Sequence, residues 1–164
     1  MNNEVAGLIA RCDKKSLNYI EVVNNYGLLV SCLVVAIVVV LHYEFLYRFT
    51  QIVPKMKIRH HFRIVASAFS ALVADTIEVY VFAVYYYYFN QSVASGYLGG
   101  NFGGSIADCI YYSFETFTIL GFGDIEPFGS IRYLTGFESL TGLVLFTWMA
   151  SFLYFEMHRY WNGK

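Results

Sequence analysis

The chain has 164 residues, a formal net charge of −1, 57% hydrophobic side chains and only 14% charged ones. Near-neutral charge gives no basis for nucleic-acid binding, and so apolar a composition excludes an ordinary soluble domain in favour of a single membrane-embedded unit. Cys12, Cys32 and Cys109 are too few and too scattered for a disulfide framework or a zinc site.

Residues 1–24 mix polarities and include Arg11, Asp13, Lys14 and Lys15. They lack the basic, apolar and small-residue succession of a removable signal peptide. Stretches 5–9 and 17–23 suit either a short interfacial helix or a solvated tail. Residues 25–89 form the next unit, two outer transmembrane helices joined by a basic loop. The first is expected over 26–49, where the core 28–41 is almost entirely Leu, Val, Ile and Ala. At ~1.5 Å per residue such a helix crosses a hydrocarbon layer of ~30 Å. Cys32 lies in that run and is expected to be a small buried residue. His42 and Glu44 fall in its second half, and Pro54 helps to end it.

Arg48, Lys55, Lys57, Arg59 and Arg63 crowd the connection, with His60 and His61 among them. These histidines read as solvated headgroup contacts before they read as metal ligands. The second span is expected over 62–89. Asp75 and Glu78 stand three apart in its middle, so both lie on one helical face. Four tyrosines and Phe89 end it as an aromatic belt.

Residues 90–164 form the third unit. A Gly- and Ser-rich loop over 90–105 opens it, where Asn90-Gln91-Ser92 matches a glycosylation sequon. Residues 106–118 are apolar and aromatic but too short to span, which suits a re-entrant helix. A turn with Pro127 and Gly129 leads into the last span, expected over 131–157, and a short tail. Lys and Arg counted by side put the loop over 48–63 and the C-terminus in the cytoplasm and the N-terminus outside. Seven basic residues then face four.

The segment 111–124, Y-Y-S-F-E-T-F-T-I-L-G-F-G-D, organises the rest. Gly121 and Gly123 flank Phe122, and glycine takes positive φ at no steric cost. Alternating such residues with ordinary ones aims successive carbonyls to one side, which is what a dehydrated monovalent cation needs in place of water. Leu120 and Phe122 are then expected to pack behind the strand.

This pattern resembles the pore helix and T-x-x-G-[YF]-G-D selectivity filter of the potassium channel family, and residues 107–154 resemble its pore module. The resemblance implies an all-α membrane protein of three transmembrane helices, a re-entrant pore helix and a filter loop. Its partners are expected to be its own copies, in a fourfold homotetramer within the cell-membrane bilayer. It implies a filter made by Thr118, Ile119, Leu120, Gly121, Phe122, Gly123 and Asp124, supported by Tyr111, Glu115 and Thr116. Thr118 is expected to brace the helix without touching ions, and Glu115 and Asp124 to share a proton or a water. It also implies a hinge at Gly142 and a cavity lined by Leu143, Phe146, Ala150 and Tyr154. The filter mouth would face outside, with no attached ligand domain and no cofactor beyond permeant potassium ions. Ile119 departs from the pattern, because the family most often has a second threonine there, whose hydroxyls ring the innermost cation site.

A potassium-selective cation channel is therefore the expected function, with a non-selective cation channel as the alternative. No span repeats Arg or Lys at every third position, so no voltage-sensor helix is expected. His42, Asp75 and Glu78 are the intramembrane polar residues. They suit structural pairing or a role in gating or proton sensing, and they alone support a rival reading as an intramembrane hydrolase or proton path. No catalytic Ser, Cys or zinc set accompanies them, so no enzyme is expected. A non-conducting membrane scaffold is the remaining alternative.

Overall fold

A computed structural model describes residues 2–52, 60–90 and 96–161, with side chains at residues 22, 25–52, 62–90 and 96–158. Lys55, Lys57 and Arg59, the side chains of His60 and His61, and the end of the sequon at Gln91 and Ser92 lie outside the described residues. The elements run α1 (Asn2–Ile52), α2 (His60–Asn90), β1 (Tyr97–Gly100), α3 (Ile106–Phe117), β2 (Ile125–Phe128) and α4 (Ile131–Trp161).

Among the described residues, three helical stretches are long and apolar enough to cross a membrane: Asn25–Ile52, Phe62–Asn90 and Ile131–His158. They match the expected spans to within a few residues, and the fold is an all-α membrane architecture. α1 continues without a break through residues 2–24. Cys32 is exposed, contrary to the expectation of burial. Leu29 and Leu33 beside it are exposed too. An apolar run in a spanning helix answers to lipid as readily as to protein, so hydropathy alone does not place a residue inside.

α3 owes its short length to strong signals at both ends. Ser105 caps it, accepting a hydrogen bond from the Asp108 N–H at 3.1 Å, while the Asp108 carboxylate accepts one from the Ser105 N–H at 3.2 Å. This reciprocal box satisfies donors that a helix start leaves free. The Asp108 carboxyl is held below its usual range, first by the Ser105 backbone N–H. Buried residues Cys109, Tyr112, Ser113 and Thr116 follow the i, i+3, i+4, i+7 rule and make one inward face. Beyond Thr118 the chain leaves the helix.

A two-stranded ribbon, unseen in the sequence, flanks the segment that follows. β1 and β2 pair antiparallel, with Tyr97 opposite Phe128 and Gly100 opposite Ile125. The rings of Tyr97 and Phe128 stack at 5.0 Å. The Asn101 N–H donates to the Asp124 carbonyl at 2.8 Å, so the ribbon begins where 118–124 ends.

The core lies where α3 sits against α2 and α4. Phe82 and Tyr86 of α2, Phe117 of α3 and Leu134 and Leu145 of α4 are fully buried there, and Val38 brings in α1. Polar groups tie the same three elements. The Tyr86 hydroxyl donates to Glu138 Oε2 at 2.6 Å, and the Ser113 hydroxyl lies 2.5 Å from Glu138 Oε1 and 3.0 Å from the Val79 carbonyl. Glu138 is fully buried. With lipid outside the bundle, such hydrogen bonds hold helices together where a hydrophobic drive between them is missing.

Candidate functional site

Segment 118–124 leaves α3 at its C-terminal end, and the helix supplies its hydrogen-bond partners. The Thr118 hydroxyl donates to the Phe114 carbonyl at 2.5 Å, turning back onto its own helix. The Ile119 N–H donates to the Thr116 carbonyl at 3.1 Å. The Glu115 carbonyl then accepts from two successive N–H groups, Leu120 at 2.9 Å and Gly121 at 3.3 Å. Two backbone donors that no helix or sheet would pair are thus satisfied.

The backbone beyond the helix alternates. Ile119, Gly121 and Gly123 have φ of 61°, 53° and 77°, while Leu120 and Phe122 between them stay out of the left-handed region. The two glycines meet the expectation drawn from their spacing. No sequence signal marked Ile119 for positive φ. A β-branched residue at positive φ is a genuine outlier, of the kind that costs ~1–3 kcal/mol and persists only where its surroundings impose it.

The side chains of this segment are not packed behind it within one chain. Ile119, Leu120 and Phe122 are 53%, 63% and 66% exposed. Phe122 lies parallel to the Tyr111 ring, with centroids 6.5 Å apart. The Tyr111 hydroxyl donates to Asp124 Oδ1 at 3.3 Å.

Glu115 is 4% exposed. Its carboxyl faces both the Asp124 carboxyl and the Phe122 N–H. Burial holds its pKa above the ordinary value of 4.5, and the Asp124 carboxylate adds to the rise, while the Phe122 N–H opposes it. Thr116 presents its carbonyl to the Ser139 hydroxyl of α4 at 3.2 Å. A cleft of about 290 Å³ lies beside these groups, lined by Glu115, Thr116, Ile119, Gly121, Thr135 and Ser139.

On α4, Leu143, Phe146, Ala150 and Tyr154 form one exposed stripe. Phe146 meets the Phe117 ring edge-on at 5.5 Å, at the foot of α3. Gly142, one turn before Phe146, is buried against the same Phe117. A Cβ built there would stand 2.3 Å from the Phe117 carbonyl oxygen, so glycine is what lets α4 approach the end of α3. α4 itself runs unbroken through this position.

The intramembrane polar residues come together away from this segment. His42 Nδ1 of α1 lies 2.7 Å from Glu78 Oε1 of α2, and Asp75 offers a ligand atom within 4.8 Å of both. The His42 ring also packs on Trp148 of α4, centroids 5.4 Å apart. Glu138, the acid at the centre of the buried network, was not singled out in the sequence. An acid inside the last span was the available signal.

A family model described as an ion channel matches residues 74–155, half of the chain. The match takes in most of α2, all of α3 and segment 118–124, and α4 as far as Phe155; α1 lies outside it. No curated protein matches the chain, and no solved structure does.

Gly142→Ala separates two roles for that residue. A free hinge would gain up to ~1 kcal/mol of helix propensity from alanine. A close contact would lose about 1–3 kcal/mol through overpacking. The contact with Phe117 predicts a lower thermal midpoint for the purified variant in detergent, and a raised midpoint would refute it.

Glu115 predicts a pH dependence of defined sign. Because its folded-state pKa is raised, the stability linked to its protonated form is fully present below the ordinary value of 4.5. That stability is lost as pH rises through the folded pKa. Comparing thermal midpoints of wild type and Glu115→Gln across this range isolates the group. The difference should move in favour of the Gln variant as pH rises, and a flat difference would contradict the raised pKa.

Proposed function

The chain belongs to the ion channel family, and from that premise we propose that it is a potassium-selective cation channel whose ions pass segment 119–123 without their water. The observation that carries this reading is the alternating backbone, with positive φ at Ile119, Gly121 and Gly123 and not at the residues between. Alternation of left- and right-handed residues turns like groups of successive peptides to one side. A column of carbonyls that replaces a hydration shell is the basis of such filters. No covalent chemistry is involved, and potassium is the transported ion, not a cofactor.

One chain supplies one strand, and one strand cannot ring an ion. Irregular backbone at membrane depth is tolerated only inside protein or around water. The exposed Ile119, Leu120 and Phe122 therefore call for cover from other copies of the chain. Four copies about one axis provide it and give each ion two layers of carbonyls. In that tetramer α4 lines the axis, with Leu143, Phe146, Ala150 and Tyr154 facing an apolar cavity below the filter. The negative end of the α3 dipole points toward the foot of the filter and favours cations there. The filter mouth faces outside the cell and the basic connection the cytoplasm, following the distribution of Lys and Arg.

Ile119 carries no side-chain oxygen, which favours a less selective cation pore as the second reading. The upper carbonyls are independent of that side chain, so selectivity is retained and binding is weakened at the innermost site. Purified protein in liposomes should pass potassium in clear preference to sodium, and protein in mild detergent should run as a tetramer. Equal flux of the two ions would remove the selectivity and leave the channel standing. No flux of either would remove the channel.

Ile119→Thr tests the inner site separately. Adding the missing hydroxyls should strengthen block by barium from the cytoplasmic side. Unchanged block would overturn this account of the inner site without touching the rest of the filter.

A further inference from the structure

His42, Asp75 and Glu78 meet where α1 crosses α2, and their ligand atoms all lie within 4.8 Å of one another. The imidazole is fully buried and Glu78 is 1% exposed. Only one strong hydrogen bond joins them, His42 Nδ1 to Glu78 Oε1 at 2.7 Å. Three further polar atoms, His42 Nε2, Asp75 Oδ1 and Glu78 Oε2, are buried without a hydrogen-bond partner. A buried polar atom left unpaired is costly, and two carboxyls beside each other within a bilayer are costlier still.

We propose that His42, Asp75 and Glu78 form a binding site for a divalent transition-metal ion, with Zn2+ the best fit, that clamps α1 to α2. Two carboxylates balance the ion's charge, so site and ion together enter the membrane interior neutral. Zinc takes histidine nitrogen and carboxylate oxygen at ~2.0–2.2 Å in tetrahedral geometry. Ligand atoms around such an ion stand about 3.3–3.5 Å apart by that geometry. Here one separation is 2.7 Å and all lie within 4.8 Å, close enough for small side-chain shifts to reach that value. The imidazole selects transition metals over magnesium or calcium, which prefer oxygen alone.

A cavity of about 110 Å³ adjoins the cluster, lined by Leu41, Phe45, Ala74, Ile77 and Glu78. Its lining is apolar apart from Glu78, so a fourth ligand there would be a water held by the ion itself. α1 lies outside the region that matches the channel family. The ion would therefore join an added helix to the channel module, and Trp148, packed on the His42 ring, carries the contact to α4.

The test uses the full chain, stripped with a chelator and titrated with Zn2+ alone in detergent, with bound metal counted by elemental analysis. One ion per chain is expected. It should be lost, or weakened by more than the ~10–100-fold typical of an outer-shell partner, in His42→Gln and in Glu78→Gln. It should be kept when His60, His61 and His158 are all changed to Gln. Loss in that triple variant with retention in His42→Gln would overturn the site, as would no binding by wild type. Should the Gln variants fail to fold, the triple variant loaded with Co2+ decides. Intense visible bands of a four-coordinate site together with a raised thermal midpoint support the proposal, and their absence refutes it. Ion flux plays no part in these readouts, so the channel reading stands or falls on its own.

Discussion

Glu115 is the residue on which the irregular segment depends. Its carbonyl pairs the N–H groups of Leu120 and Gly121, and its carboxyl faces the Phe122 N–H and the Asp124 carboxyl. One residue near the end of α3 thereby fixes four of the next nine positions. A non-helical strand inside a bilayer has no water to pair its donors. Without such a partner it would either resume the helix or collapse. The positive φ of Ile119 follows from the same constraint. The strain is imposed by hydrogen bonds on either side, Thr116 accepting from Ile119 itself and Glu115 from the next residue.

That arrangement needs α3 to be immobile, and two different contacts hold it. At its foot, Gly142 admits the Phe117 carbonyl into contact with α4. At its middle, Ser113 reaches Glu138 of α4 and the Val79 carbonyl of α2. Tyr86 and Tyr112, edge-on at 5.0 Å, close the same junction. Breaking one member of such a network leaves its partner buried and unpaired, which costs more than the bond itself contributes. Glu138 therefore belongs to the support of the segment although it lies away from it.

The sequence made the three spans legible because each is a long apolar run, a signal that a single chain carries by itself. The short helix was legible through its apolar, aromatic composition and a length too short to span. Gly121 and Gly123 announced the left-handed backbone, because few other reasons place glycines two apart before an acid. The ribbon was not legible: strands of Y-L-G-G and I-E-P-F show no alternation, and their pairing is fixed by contacts far apart in the chain. Ile119 was hidden for the opposite reason, since its residue type argues against the conformation it adopts. Cys32 failed because hydropathy does not distinguish lipid from protein as surroundings.

α1 poses a different problem from the rest, since it stands outside the region that matches the channel family. It contributes Val34 and Val38 to the main core and Leu46 to a smaller one. Apolar contacts of this kind would be nearly as favourable after a rotation or a one-turn slide, because lipid offers the displaced face an equivalent environment. Polar contacts would not. The His42–Glu78 pair at 2.7 Å and the Trp148 ring packed on the imidazole tie one turn of α1 to fixed points on α2 and α4. A slide by one turn would carry the imidazole ~5.4 Å away, beyond reach of either partner, and leave Glu78 buried alone. His42 thus ties the register of α1 to both neighbours, while the leucines and valines around it supply contact without specifying position.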